Sequence, residues 1–275
     1  MDKLGFYRKY VELMGNLKDK PDMATPYKIN YLKEIIKNNH VYKFVSLEDT
    51  EEKIRAKLDT FKSEKIWFSF YKTLNDETEF QINYNVKKIA NKTGRNIEDI
   101  HLLVNFLTEI YDVFSLSYVY HEYMWDDYAS NGNGFCIEFS IDNFDYLYPV
   151  EYIDKGWIDF DKMIILAINE ADMTLSTIPW VIKNPYNITS KLDSTREKEV
   201  RILYSPFDFG EIKNRKLQYN LKEKMKYKGI AKPYSDFSLR IANVIIGENC
   251  SEEITSDIVD YLKQANINWC FHKKE

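Results

Sequence analysis

At 275 residues, with 44% hydrophobic and 29% charged side chains, the chain carries apolar material for one sizeable core and a small extension, too little for two full domains. Its 38 Lys and Arg against 43 Asp and Glu leave a net charge of -5, which excludes a global attraction to nucleic acid or to an anionic membrane. The three cysteines (Cys136, Cys250 and Cys270) are scattered without metal-ligand spacing, and the charged N-terminal stretch holds no signal-peptide core, so neither a disulfide framework nor a zinc site is expected and a cytoplasmic location is.

Residues 3–18 and 26–39 read as two amphipathic helices, the second opened by Thr25 as N-cap with Pro26 at the first helical position and closed by Asn38-Asn39. They predict an N-terminal helical extension over 1–40 ahead of a single α+β domain at 41–275. HVYKFVSL reads as a strand, EDTEEKIRAKLDTF as a helix and KIWFSF as a second strand before the polar loop TLNDETE. NIEDIHLLVNFLTEIY has helical spacing and leads into VFSLSYVY, a half-buried strand whose serines share a face.

EYMWDDYAS reads as a short helix stopped by the NGNG turn, which feeds the strand GFCIEFSI. YLYPVEYI is a strand that Pro149 assigns to a sheet edge. Residues 156–195 read as mostly helical, interrupted by Pro179 and Pro185, and REKEVRILYS turns to strand-like alternation. After an ambiguous Lys-rich segment at 211–232 comes a clear strand–helix–strand unit: IANVIIG, the helix SEEITSDIVDYLKQA capped by Ser251, and INWCF. The fold class expected is α+β, a bent or split mixed sheet of about six to eight short strands with inserted helices.

No P-loop, G-x-G-x-x-G, H-E-x-x-H or G-x-S-x-G pattern is present, and His40, His101, His121 and His272 are dispersed. Three places depart from plain packing. In Tyr42-Lys43-Phe44 a lysine lies between two aromatics, where it is either the solvent-facing member of a strand or a ligand contact. Ser115-Leu116-Ser117 runs on to Trp125, Asp126, Asp127 and Tyr128; two small hydroxyls on one face leave room for a ligand, and ordinary strand serines look the same. In Arg196-Glu197-Lys198-Glu199-Val200-Arg201, the two glutamates would share a strand face and perturb each other's ionisation, or else form a solvated run paired with Arg196, Lys198 and Arg201.

VYKFVSL, KIWFSFYKTLNDETE, FSLS, W-x-x-YASNGNGFCIEF and REKEVRIL, in this order over about residues 41–250, resemble the bacterial family described as domain of unknown function 2971. The polar loop and the mild LDSTR lead-in depart from the family pattern. That order of elements is similar in turn to the ADP-ribosyltransferase superfamily. The likeness implies NAD as co-substrate and no metal, with Lys43 on the phosphates or ribose, and Ser115 and Ser117 lining the nicotinamide pocket. It further implies Glu199 as the catalytic acid, Glu197 orienting the acceptor, and Tyr42, Trp67, Trp125 or Tyr128 stacking on the bases. The acceptor would be a macromolecule, protein or nucleic acid, and the chain a toxin or phage-defence effector. The alternatives are a non-catalytic nucleotide- or nucleic-acid-binding regulatory module and a nuclease-like enzyme holding a divalent metal with Asp126, Asp127 and the glutamates.

Overall fold

The computed structural model describes residues 5–15, 22–70, 73–74, 80, 82–108, 110–154, 158–170, 174–187, 192–205 and 228–273. Two helices, α1 (Gly5–Gly15) and α2 (Ala24–Ile35), form the N-terminal hairpin. Asp22 rather than Thr25 caps α2, its Oδ1 accepting from the N–H groups of Ala24 at 3.0 Å and Thr25 at 3.1 Å. The cap of α1 comes from far along the chain: the Glu151 carboxylate accepts from the N–H of Phe6 at 3.1 Å and of Tyr7 at 3.0 Å. A carboxylate there meets both the orphan donors and the positive end of the helix dipole. Phe6, Tyr7 and Tyr10 are buried together with Trp180, Val181 and Ile182, so the hairpin lies on the rest of the molecule.

Downstream, the order is β1 (His40–Ser46), α3 (Glu51–Lys62), β2 (Lys65–Phe70), α4 (Val86–Thr93), α5 (Ile97–Thr108), β3 (Asp112–Ser117), α6 (Tyr123–Tyr128), β4 (Gly134–Ile141) and β5 (Leu147–Pro149). There follow β6 (Glu151–Tyr152), α7 (Phe160–Glu170), α8 (Thr174–Val181), β7 (Ile182–Lys183), β8 (Tyr186–Asn187) and β9 (Leu192–Asp193). The chain continues with β10 (Glu199–Tyr204), β11 (Gly229–Pro233), β12 (Leu239–Ile246), α9 (Glu252–Gln264) and β13 (Trp269–Phe271). Helix α4 has no counterpart in the sequence reading, although Asn85 caps it by accepting from the Lys88 N–H at 3.0 Å and Gly94 closes it at φ 68°. The stretch expected to be mostly helical breaks after α8 into short strands, and Pro179 lies inside α8 instead of ending it. Of the Lys-rich segment, residues 211–227 lie outside the described residues, as do 75–79 of the polar loop.

Among the described residues nine strands form one mixed sheet in the order β11-β2-β3-β1-β4-β12-β13, with β10 beside β3 and β5 beside β10. That is more than the six to eight expected. Only β12 and β13 run parallel within it, and β5 with Pro149 is an edge. Two strands share one edge of β3: Tyr42 of β1 opposes Ser117, whereas Ser69 and Phe70 of β2 oppose Val113 and Asp112. The sheet therefore splits between β1 and β2. One face packs through Val41, Phe68, Phe114, Leu116, Phe135, Val200 and Val244 onto α2, α3 and α9, where Ser251 caps α9 by accepting from the Ile254 N–H at 3.3 Å. On the other face α6 covers Phe44 and Cys136 with Met124 and Trp125, while α1 and α8 cover Val113. No helix among the described residues is long and apolar enough to cross a membrane.

Candidate active site

The second face of the sheet carries a polar row. Glu199 opposes Ser117, Ser117 opposes Tyr42, and Tyr42 opposes Glu138, so four neighbouring strands place these side chains on one side. At its β10 end the chain arrives abruptly. Ser194–Glu197 is a 3-10 turn, and Lys198 then takes a left-handed conformation at φ 49°, ψ 52°, so Glu197 and Glu199 do not share a strand as the sequence suggests. They converge on one cation instead. The Lys183 ammonium lies 2.7 Å from Glu197 Oε2 and 3.5 Å from Glu199 Oε2.

Glu199 is 5% exposed and Arg201, two residues on and on the same face, is 1% exposed. The guanidinium grips the carboxylate at both oxygens, Nε to Oε1 at 2.6 Å and Nη2 to Oε2 at 3.1 Å, while Nη1 donates to the Trp180 carbonyl at 2.5 Å. This fork is the strong form of the ion pair. The reading of this segment as a solvated charge run is thus corrected at Glu199 and Arg201, which lie in the interior. The Glu199 N–H donates to the Tyr152 hydroxyl at 3.0 Å.

The environment separates the two acids. Burial pushes the Glu199 carboxyl up, but the charges of Arg201 and Lys183, with hydrogen bonds from Arg201 and Ser115, outweigh it and hold the group well below the usual carboxylate range. Burial and the neighbouring Glu199 charge raise Glu197 above its ordinary value, and Lys183 and a hydrogen bond from the Tyr128 hydroxyl only partly offset them. One carboxylate is kept ionised and the other made easier to protonate, which is the division a site needs to hold a charge and a proton side by side. The Tyr128 ring is 39% exposed while its hydroxyl turns in to Glu197; burial and the Glu197 charge raise that phenol well above its ordinary value.

The other candidate residues fall in different places. Ser115 donates to Glu199, and the Ser117 hydroxyl is engaged with the carbonyls of Glu197 at 2.7 Å and Val119 at 2.8 Å, which fixes the end of β3. Lys43, on the opposite face from Glu199, lies where β1 parts from β2 and donates to the Ser115 carbonyl at 3.1 Å over the Phe114 ring. Burial lowers its pKa, and Glu199 acts in the other direction. Tyr42 donates to Glu138 at 3.3 Å, and burial, then Glu138, push its phenol up to about 12. Trp125 is 2% exposed, stacked on His272 with ring centroids 4.3 Å apart, and Trp67 lies away on β2 against β11, where Gly229 at φ 144° leaves it room.

Glu197, Glu199, Ser115 and Tyr128 are brought together. Lys43, Trp67 and Trp125 are not part of that group, and Ser117 touches it through the Glu197 carbonyl. Sequence reasoning missed Lys183 and Tyr152; a lysine ending the apolar run Trp180-Val181-Ile182 was the one visible sign of the first. Among the described residues no group of three His, Cys, Asp or Glu side chains gathers to hold a metal ion, and Asp126 and Asp127 are exposed on α6. No family model matches the chain, and no curated protein or solved structure matches it.

Proposed function

We propose that the chain consumes NAD and transfers ADP-ribose to a macromolecular acceptor, with the Glu197–Lys183–Glu199 cluster as its catalytic centre. The observation that carries this reading is a single ammonium shared by two carboxylates whose pKa values are pushed in opposite directions, beside the exposed Tyr128. In the reaction the bond from ribose to nicotinamide breaks, nicotinamide leaves with the bonding pair, and the acceptor atom bonds to the ribose carbon and gives up its proton. The positive charge that develops on the sugar is stabilised by nearby negative charge. Glu199 is saturated by Arg201 and Lys183, so its part is to fix Lys183 and Ser115. Glu197, at the outer side of Lys183, is the carboxyl that reaches the ribose hydroxyl, and Tyr128 offers a ring face beside it.

The test follows nicotinamide release from NAD in the presence of cell lysate. Glu197→Gln, which keeps the size of the side chain and one acceptor oxygen, should lower release on the order of a hundredfold or more with the melting temperature retained. Release at the wild-type rate in that variant overturns the reading. The two cations match the two carboxylates, and that closed charge balance favours a second reading, a nucleotide-binding module without chemistry. Its signature is a thermal shift with NAD and no nicotinamide.

A further inference from the structure

Arg196 immediately precedes Glu197 on the 3-10 turn, and its guanidinium lies over the Tyr123 ring at 4.2 Å from the centroid. Its neighbours in the site are committed elsewhere: Lys183 to both glutamates, Arg201 to Glu199 and the Trp180 carbonyl, Lys43 to the Ser115 carbonyl on the opposite face. Arg196 is exposed, and among the described residues no carboxylate comes within ion-pair range of it. The acids around it have their own donors. Asp193 accepts from the Thr195 N–H at 3.0 Å and hydroxyl at 2.6 Å, and Glu197 accepts from Lys183 and Tyr128. Asp127, which also faces Tyr123, is exposed on α6.

A guanidinium held over an aromatic ring has its N–H fork restrained, so less conformational freedom is lost when a two-oxygen ligand binds. The second observation lies beneath it. The Tyr123 hydroxyl is shut away from solvent without a hydrogen-bond partner, and a buried hydroxyl without a partner marks a place for a water or a ligand oxygen. Ser194, on the same turn and 1% exposed, carries another.

We propose that Arg196, lying over Tyr123, is an anion-binding subsite that takes the diphosphate of a nucleotide whose ribose lies at Glu197. The inference rests on the dinucleotide reading of that site and adds to it the residue that holds the phosphates, a part that Lys43 does not fill from the opposite face. Arg196 binds through paired N–H donors to two phosphate oxygens, which a lysine cannot reproduce.

The experiment measures binding of inorganic pyrophosphate, ADP-ribose and nicotinamide riboside to the full chain, its Arg196→Gln and Arg196→Lys variants. The side chain is exposed, so both variants should melt with the wild type. Arg196→Gln is expected to weaken pyrophosphate and ADP-ribose at least tenfold and to leave nicotinamide riboside unchanged, with Arg196→Lys recovering part of the loss. KM for NAD should rise in Arg196→Gln with little change in kcat. If the wild type does not bind pyrophosphate, or ADP-ribose binds equally to wild type and Arg196→Gln, the subsite is overturned. Arg196-dependent pyrophosphate binding without nicotinamide release keeps the anion site and defeats the transferase reading, so the two failures are told apart.

Discussion

Two glutamates on the same face of the sheet, three strands apart, each meet a nitrogen partner at the same distance, yet they differ in the kind of partner and in their access to water. Glu138 Oε1 meets His40 Nδ1 at 2.6 Å, and Glu199 Oε1 meets Arg201 Nε at 2.6 Å. Strand spacing places the two glutamates about 14 Å apart along the row that also holds Tyr42 and Ser117. The His40 and Glu138 side chains are 33% and 17% exposed, those of Arg201 and Glu199 only 1% and 7%. Contact distance therefore does not rank them. A pair that water can reach contributes about 0–1 kcal/mol, whereas removing one partner of a buried pair leaves a stranded charge and costs about 3–5 kcal/mol.

The largest effect expected from that contrast is the loss of about 3–5 kcal/mol in Arg201→Met, measured by urea unfolding, because Glu199 keeps only Lys183 as a charged partner. A loss under 1 kcal/mol would erase the distinction between the pairs. Replacing both partners, Glu199→Met with Arg201→Met, removes the stranded charge and should recover most of that loss; an additive double variant would break the comparison.

The pH response is the next in size. Glu199 is held below the ordinary glutamate value of 4.5, so its contribution is complete above that pH and fades as pH falls towards its folded value. Glu197 is held above 4.5 and works in the opposite sense, costing stability once pH rises through its own folded value. Glu199→Gln should therefore be less stable than the wild type at neutral pH, and the gap should narrow in acid below 4.5. A gap that stays constant through that range would remove the ion pair as its cause. The smallest effect belongs to the half-buried pair that water still reaches: Glu138→Gln should change stability by about 1 kcal/mol or less. A larger loss would place Glu138 among the buried group.

What could be read in the sequence was what local chemistry determines. The Ser251 cap with its acidic first turn, the NGNG turn before β4 and the edge position of Pro149 each follow from a few neighbouring residues, and each is found in the fold. Helix α4 was as legible in its Asn85 and Gly94 caps, but an amphipathic stripe of only Val86, Ile89 and Ala90 hid it. At the site, Glu197 and Glu199 stood out because two acids two residues apart are visible in the string. The burial of Arg201 and the approach of Lys183 were not, since both depend on how α8 and β7 pack onto β10. The left-handed Lys198 was hidden for the same reason: lysine has no preference for that conformation, and tertiary contacts impose it.

The carboxylate that caps α1 also sets a timetable. Phe6 and Tyr7 wait for Glu151, 145 and 144 residues later. At a ribosomal rate of about 5–20 residues per second, that separation is roughly 7–30 seconds of synthesis. For the later part of it the buried aromatics of α1, Phe6, Tyr7 and Tyr10, have left the ribosome while the segment that covers them is still unmade. Helix α1 is thus translated well before the segment that secures it, and in a living cell the nascent chain offers a sticky aromatic segment to chaperones before the sheet can claim it.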